Sequence, residues 1–317
     1  MQSIEFCAGA GGQALGLERA GFRHAALVEI ERDYAKTLTL NRPGWTVFAE
    51  DMTVFDGRPY KGVDLFAAGL PCPPFSVAGK QLGESDERNL FPAAIRLIDE
   101  IRPKAIMIEN VRGFLSAVFD DYRGVLKRQL DLLGYASDWR LLNASDFGVP
   151  QLRPRVVIVA VRKDFSDVFD WPDVLPHNPP TVGETLREMM AADGWLGASS
   201  WAARADDIAP TIVGGSKKHG GPDLGPTRAR LAWASLGVEG RTIAERAPAK
   251  DFVGMPRLTV DMVARLQGFP KDWKFHGRKT IAYRQVGNAF PPPVAAAVAK
   301  NLSIALRCQR LFTGFAA

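Results

Sequence analysis

The chain has 317 residues, of which 46% are hydrophobic and 24% are charged. This is the composition of an ordinary globular protein, and it excludes wholesale disorder. The net charge of +5 and the pI of about 9.1 are a mild basic excess. That excess fits a polyanionic partner but does not require one.

The three cysteines, Cys7, Cys72 and Cys308, form no C-x-x-C pair. Their spacing excludes a disulfide framework and a zinc cluster, and it suits a reducing compartment. The N-terminus lacks the basic and apolar regions of a signal peptide, and no apolar run is long enough to span a membrane. We therefore expect a soluble cytoplasmic protein that needs no metal.

A strand over residues 4–7 runs into a glycine-rich turn and then into a helix that ends near residue 20. Gly9, Gly11 and Ala14 match the pattern G-x-G-x-x-G/A, which lets the backbone and the helix N-terminus approach a ligand. Taken alone this match is weak, because glycine-rich turns are common.

Acidic residues end the next two predicted strands. Glu29 closes the strand at 25–30, 20 residues after Gly9, where an acid can accept both ribose hydroxyls of an adenosine-containing cofactor. Asp51, in the segment 47–53, can accept from an adenine amino group or simply cap the residues that follow. Together these acids favour a nucleoside site, but they do not separate NAD from S-adenosylmethionine.

The segment Gly69-Leu70-Pro71-Cys72-Pro73-Pro74-Phe75-Ser76 follows a buried strand at 63–68. The prolines stiffen the loop and prevent a helix from starting at once. Cys72 is either a small buried hydrophobe or a thiol nucleophile at the rim of a pocket. Residues 77–89 are polar, as in a mobile active-site loop or an ordinary surface connection.

A predicted helix at 91–101 precedes a buried strand at 104–108, which ends at Glu109. The carboxyl ends of parallel strands are where open α/β sheets bind ligands, although a strand-end acid can also face solvent. Another helix is predicted at 121–133.

Strands at 139–143 and 155–161 flank a segment that contains Gln151, Arg153 and Arg155. Their fixed donors suit a phosphate or an exocyclic carbonyl, or the arginines form surface ion pairs.

Residues 170–255 are rich in Pro, Gly, Trp and charged residues and show little periodicity. The glycine-rich basic loop at 210–221, with the arginines that follow it, can track phosphates and read a groove, or it is a flexible solvated loop. A helix at 260–267 with Thr259 as N-cap and an apolar helix at 294–307 restore regular structure.

These blocks, in this order, resemble the cytosine-C5 DNA methyltransferases of bacterial restriction–modification systems. The resemblance covers nearly the whole length. It rests on the glycine turn at 8–12, Glu29, Asp51, the block 69–76, Glu109-Asn110-Val111, Gln151-x-Arg153-x-Arg155, Gln267-Gly268-Phe269-Pro270, Gly287-Asn288-Ala289 and the pair Thr211-Ile212. The family usually has phenylalanine where Cys7 stands, and often Pro-Cys-Gln where this chain has Pro71-Cys72-Pro73.

The resemblance implies an α/β fold, with a Rossmann-like S-adenosylmethionine-dependent methyltransferase domain and a smaller target-recognition domain. We expect residues 1–169 and 285–317 to form the catalytic domain, and residues 170–284 to form the recognition domain and return segment. The implied reaction is methyl transfer from S-adenosyl-L-methionine to C5 of a flipped-out cytosine in a short specific duplex sequence. The implied partners are double-stranded DNA and a cognate restriction endonuclease, and we expect a monomer.

The implied catalytic residues are Cys72, Glu109, Arg153 and Arg155. The implied cofactor-binding residues are Cys7, Ala8, Gly9, Gly11, Gly12, Glu29, Ile30, Asp51, Met52, Pro71, Asn288 and Ala289. The expected DNA-binding residues are Ser76, Gln81, Arg88, Gln151, Thr211, Lys217, Lys218, Arg228 and Arg230.

Three other functions are compatible with parts of this pattern. A tRNA cytosine-C5 methyltransferase of the same fold is one, although the long variable region between Arg155 and Arg257 favours a DNA reader. A catalytically silent DNA-binding homologue is another, and the intact Cys72, Glu109 and Arg155 argue against it. An NAD-dependent dehydrogenase would need neither the Pro-Cys loop nor the Gln-x-Arg-x-Arg block.

Overall fold

The computed structural model of the chain describes residues 1–71, 89–215 and 221–313, without the side chains of 166, 167 and 309–313. The chain divides into two compact units. The first contains Met1–Leu142, Pro154–Asp173 and Val294–Ala317, and the second contains Asn143–Arg153 and Val174–Pro293. Residues 143–153 and 285–293 thus lie in the second unit, while the division into catalytic and recognition domains stays a prediction.

A mixed sheet forms the first unit, with seven strands in the described part of the chain and the order β3-β2-β1-β4-β5-β7-β6. The neighbours from β3 to β5 are parallel, whereas β7 runs antiparallel to β5. The strands are β1 (Gln2–Phe6), β2 (Arg23–Val28), β3 (Val47–Phe48), β4 (Leu65–Gly69), β5 (Ala105–Val111), β6 (Tyr135–Asn143) and β7 (Pro154–Arg162). This sheet confirms the predicted α/β class.

Helices connect the strands of the first unit and form most of the regular structure of the second. They are α1 (Gly12–Arg19), α2 (Arg32–Asn41), α3 (Phe91–Ile101), α4 (Asp120–Leu132), α5 (Val182–Met190), α6 (Ala198–Arg204), α7 (Thr227–Ser235), α8 (Val260–Leu266), α9 (Lys279–Asn288) and α10 (Pro292–Thr313). No helix in the described ranges is long and apolar enough to cross a membrane.

Both faces of the sheet are covered, which is why its inner strands are almost continuously apolar. Ile4 and Phe6 of β1 pack on the face that also buries apolar residues of α3 and α4. Leu27 of β2 points to the other face, in a cluster with Ala14 of α1 and Leu38 of α2. Since side chains alternate along a strand, Glu5 points to this second face.

The helix predicted at 91–101 is confirmed as α3. Its buried residues Ala94, Leu97, Ile98 and Ile101 recur at intervals of three and four, which is the period of a helix with one apolar face. The helix ends at Ile101, and the C-cap residue Arg102 adopts a left-handed conformation with φ of 48°. This helix covers β4 and β5, the strands that carry the candidate site.

The second unit contains helices that the sequence did not reveal. Thr181 caps α5 by accepting from the backbone N–H of Glu184, whose side chain accepts in return from Thr181. The predicted cap of α8 is confirmed, since Thr259 accepts from the backbone N–H of Met262. Local capping therefore defines helices where the apolar periodicity is weak.

Candidate active site

The candidate site of the first unit lies at the carboxyl ends of the four adjacent strands β2, β1, β4 and β5. Phe6 of β1 lies opposite Val28 of β2 and Ala68 of β4, and Gly69 of β4 lies opposite Glu109 of β5. The residues at these positions or directly after them therefore form one row along the edge of the sheet, from Glu29 through Cys7 and Gly69 to Glu109. A ligand lying along this edge can touch all four positions.

The glycine turn holds the Glu29 carboxylate in place. Gly9 and Gly11 have φ values of 56° and 83°, a region that glycine enters without strain. The turn directs the backbone N–H of Gly9 to Glu29 Oε2 at 2.7 Å, while the N–H of Glu31 donates to Oε1 at 2.8 Å. Because an ionised carboxylate has about four acceptor positions, each oxygen can also accept from a ligand hydroxyl.

Cys7 is half-buried beside this turn and itself has a positive φ of 51°. Its Sγ lies 3.5 Å from the sulfur of Met52. Burial raises the pKa of the Cys7 thiol, and the nearby Glu29 and Asp51 carboxylates raise it further. Cys7 therefore stays protonated at neutral pH and is a poor nucleophile.

The other predicted cofactor residues of this edge differ in accessibility. Ala8 and Met52 are buried, whereas Ile30 is 59% exposed beside Glu29. Gly12 is buried at the start of α1. Asp51 accepts from the backbone N–H of Thr53 at 2.8 Å, which is the capping contact that its sequence position also allows.

An ion pair joins the ends of β5 and β7. Arg155 Nε lies 2.8 Å from Glu109 Oε1, and the two side chains are only 13% and 7% exposed. The antiparallel register pairs Arg155 with Val111, which places Glu109 diagonally across on the same face. The contact through Nε lacks the alignment of a hydrogen bond.

Gly69 lies close to both the Glu109 carboxylate and the backbone of Cys7, beside the glycine turn. A Cβ atom on Gly69 would lie 3.4 Å from the Cys7 carbonyl oxygen and 3.9 Å from Glu109 Oε2. Leu70 and Pro71 continue from this point, with Leu70 buried and Pro71 partly exposed. The predicted residues Cys72, Ser76, Gln81, Arg88, Lys217 and Lys218 lie outside the described residues, so their roles stay predictions.

Gln151 and Arg153 belong to a fully buried network of the second unit. Gln151 Nε2 donates to Gln267 Oε1 at 2.6 Å, and its Oε1 accepts from the backbone N–H of Ile212 at 2.9 Å. Arg153 donates to the carbonyls of Ile212 at 2.6 Å, Gly287 at 2.7 Å and Ala289 at 3.0 Å. These contacts fix distant segments of the chain to one another.

The remaining predicted residues of the second unit differ in accessibility. Thr211 Oγ1 donates to the Leu152 carbonyl, and exposed Asn288 donates through Nδ2 to the Gly215 carbonyl at 3.4 Å. Ala289 is buried, and its carbonyl accepts from Arg153 and from Gln267. Arg228 is exposed in the first turn of α7, and Arg230 is partly buried.

Glu5 is a buried acid whose position no motif of the sequence marks. It is 1% exposed in β1, and its Oε2 has no hydrogen-bond partner in the described part of the structure. Burial raises the pKa of this carboxyl well above its ordinary value, and the Glu29 charge raises it further. A lone acid in the apolar strand Ile4-Glu5-Phe6 was the available signal.

Solved structures share this fold. A DNMT2 mutant from Spodoptera frugiperda matches with a TM-score of 0.66 and 19% identity, over 95% of this chain and 99% of that one. An E. coli prophage-encoded protein, described as a DNA modification methyltransferase, matches with a TM-score of 0.68 and 23% identity, over 97% and 99% of the two chains. The fold is thus the Rossmann-like fold of C5 methyltransferases.

Sequence comparison identifies the family. The C-5 cytosine-specific DNA methylase model matches residues 1–303. The Type II methyltransferase M.NaeI of Lentzea aerocolonigenes is 53% identical over 98% of this chain and 76% of its own. M.NgoMIV of Neisseria gonorrhoeae is also 53% identical, over 96% of this chain and 98% of its own. The chain belongs to this family and is a DNA (cytosine-5)-methyltransferase.

Replacing Arg153 with methionine is expected to destabilise the protein by at least about 3 kcal/mol, because it leaves buried carbonyls without their charged donor. Urea unfolding followed by circular dichroism measures the change. The control Arg162→Met removes an exposed arginine paired with Asp164 at 3.0 Å and should cost no more than about 1 kcal/mol. Equal losses in the two variants would contradict the role of the buried network.

Glu5→Gln is expected to change how stability depends on pH. The pKa of Glu5 is raised in the folded state, so its contribution is complete below the unfolded value near 4.5 and is lost as pH rises through the folded pKa. The variant has no such charge to bury, so its stability relative to wild type should grow by up to about 1.4 kcal/mol per pH unit over that window. Urea unfolding between pH 4.5 and pH 8.5 tests this.

The matched control is Glu50→Gln, since Glu50 is exposed. Its stability should run parallel to that of wild type across the same pH range. A constant offset between wild type and Glu5→Gln would show that the Glu5 carboxyl keeps an ordinary pKa.

Proposed function

We propose that the chain transfers a methyl group from S-adenosyl-L-methionine to C5 of a cytosine rotated out of a short, specific duplex DNA sequence. The observation that carries this proposal is the buried ion pair between Glu109 and Arg155 beside Gly69. It sets a carboxylate and a guanidinium next to the strand end that leads, three residues later, to Cys72.

Cys72 is the proposed nucleophile. Cytosine C5 is too weakly nucleophilic to take a methyl group unaided, and addition of a thiolate at C6 makes C5 enamine-like. Covalent catalysis of this kind replaces one difficult step with easier ones. After methylation the C5 proton leaves, the C6–sulfur bond breaks, and the thiolate is regenerated.

Glu109 and Arg155 act on the opposite side of the ring. Glu109 holds or protonates N3 as negative charge develops there. Arg155 keeps the carboxyl group in position and contributes donors to the cytosine O2. Arg153 and Gln151 act indirectly, since both are buried and hold backbone segments of the second unit.

The row of strand ends from Glu29 to Gly69 fits the cofactor. The fixed Glu29 carboxylate suits a ribose diol, and the glycine turn leaves room for close backbone approach. When bound, S-adenosylmethionine supplies the methyl group. Asp51, Met52 and Cys7 lie beside the Glu29 end and suit the adenine.

The second unit is the proposed DNA reader. Exposed Arg228 at the first turn of α7, Thr211 and the basic residues Lys217 and Lys218 are the proposed contacts with phosphates and base edges. Ser76, Gln81 and Arg88 are proposed contacts from the loop after Cys72. Neutralising phosphates releases counterions, so binding should weaken steeply as salt rises.

The biological setting follows from the relatives. M.NaeI and M.NgoMIV are named Type II methyltransferases, which supports a role as the protective partner of a restriction endonuclease. We expect the protein to act as a monomer on chromosomal DNA in the cytoplasm.

The test is methyl transfer by the purified protein from labelled S-adenosylmethionine to unmethylated duplex DNA, with 5-methylcytosine identified by mass spectrometry. Cys72→Ser should abolish product. Glu109→Gln should slow transfer by about 10²- to 10⁴-fold, the usual contribution of a positioned acid or base. DNA that carries 5-fluorocytosine should form a covalent complex with wild type, because the fluorine at C5 cannot leave as a proton does.

Cys308→Ser is the matched control, since Cys308 lies far along the chain in α10, and this variant should keep full activity. Near-normal turnover by Cys72→Ser would refute the assigned nucleophile. Methylation of tRNA with none of duplex DNA would replace the DNA substrate with RNA. Cofactor and DNA binding without any turnover would favour a silent binding protein.

A further inference from the structure

Residues 209–215 of the second unit form a segment that buried side chains hold in place. Ala209 forms a parallel bridge with Gln151. The backbone N–H of Ile212 donates to Gln151 Oε1 at 2.9 Å, and the Ile212 carbonyl accepts from Arg153 at 2.6 Å. The segment is therefore fixed at two points by a network that is fully buried.

A close approach of two glycines holds the same segment against α9. A Cβ atom on Gly287 would lie 2.4 Å from the Cα and N atoms of Gly214, a distance that no side chain could occupy. A Cβ atom on Gly214 would likewise lie 2.6 Å from the Arg284 carbonyl oxygen. The two backbones are therefore in direct contact, which restricts the movement of the residues on either side of Gly214.

Val213 is an apolar side chain that this rigid segment presents to solvent. Burial alternates along the segment, with Ile212 and Gly214 buried and Val213 and Gly215 exposed, as in a strand with one free face. Val213 is 46% exposed, and a Cβ atom on Gly225 would lie 3.1 Å from its Cγ2, so the backbone at Gly225 packs against it. Since a β-branched side chain is also stiff about χ1, Val213 has a fixed shape before any partner binds.

Basic residues lie near Val213 in the sequence. Lys217 and Lys218 follow it, and Arg228 is exposed in the first turn of α7. Cations of this kind position a protein on the phosphates of DNA but carry no sequence information. Sequence is read at the base edges, where C5 of thymine carries a methyl group and C5 of cytosine carries only hydrogen. Because each base pair contains one pyrimidine, each pair presents one C5 edge in the major groove.

We propose that Val213 determines sequence specificity by apolar contact with the C5 edge of a pyrimidine, at a base pair of the recognition sequence other than the one that contains the target cytosine. The presence or absence of a methyl group at that C5 position then changes how well the valine fits. The rigid segment favours this role, because a side chain that is already ordered loses little entropy on binding. This inference rests on the proposed DNA reading by the second unit.

The test compares the sequence preference of variants on a random-sequence duplex DNA library. Purified protein methylates the library with S-adenosylmethionine, and base-resolution sequencing of 5-methylcytosine gives the preferred motif. Val213→Ala should relax the preference at one base pair by about 5- to 20-fold, the loss expected for two methyl groups that leave an apolar contact. The other positions of the motif should stay as in wild type. Val213→Thr keeps the branched shape but replaces one methyl group with a hydroxyl, and it should alter the preference at the same base pair.

Val253→Ala is the matched control, because Val253 is 91% exposed in the second unit outside this segment, and this variant should keep the wild-type motif. An unchanged motif with Val213→Ala, or an equal relaxation at every base pair, would overturn the proposal. If wild type methylates no duplex DNA, the proposed function itself fails and this inference fails with it, and that outcome is distinct from the other two.

A second measurement links Val213 directly to the C5 position of the base. At the affected base pair the pyrimidine is replaced by its C5 analogue, uracil for thymine or 5-methylcytosine for cytosine, so that only one methyl group changes. This replacement should change kcat/KM of wild type by about fourfold, the contribution of one buried methyl group. It should change kcat/KM of Val213→Ala by less than about twofold, because the contacting methyl groups are absent. Equal changes in the two proteins would overturn the proposal.

Discussion

The ion pair between Glu109 and Arg155 is the interaction on which the candidate site depends. It joins β5, the last of the consecutive parallel strands, to the antiparallel strand β7. Removing one partner from such a pair typically costs about 3–5 kcal/mol, because the other charge is left buried without compensation. The pair therefore links the stability of the sheet edge to the orientation of the Glu109 carboxyl group, which is the proposed catalytic acid.

The block Gln151-x-Arg153-x-Arg155 combines two different physical tasks. Arg155 lies in the first unit and is paired with Glu109. Gln151 and Arg153 lie in the second unit, where both form hydrogen bonds with the backbone of Ile212. Their partners include Gln267 and the carbonyls of Gly287 and Ala289. Two blocks near the end of the chain are thus fixed by a block near its middle, which explains why strongly polar side chains are fully buried there.

Much of the first unit could be predicted from the sequence, because apolar strands and an amphipathic helix leave clear local patterns. The strand that contains Glu109, the helix from Phe91 to Ile101 and the cap at Thr259 all follow from such patterns. The helices α5 to α7 could not be predicted, since their apolar residues pack within a unit of irregular segments. The burial of Gln151 could not be predicted either, because it depends on Gln267, which lies 116 residues further along the chain.

The measurement that tests this account most directly is base-resolution mapping of 5-methylcytosine in a bacterial host that lacks cytosine methylation and expresses this chain. A parallel culture expresses Glu109→Gln at a matched level. We expect methylation at a single short sequence motif with wild type and little or none with the variant. Equal methylation by the two proteins would contradict the role given to the Glu109–Arg155 pair, and no methylation by soluble wild type would contradict the DNA reaction itself.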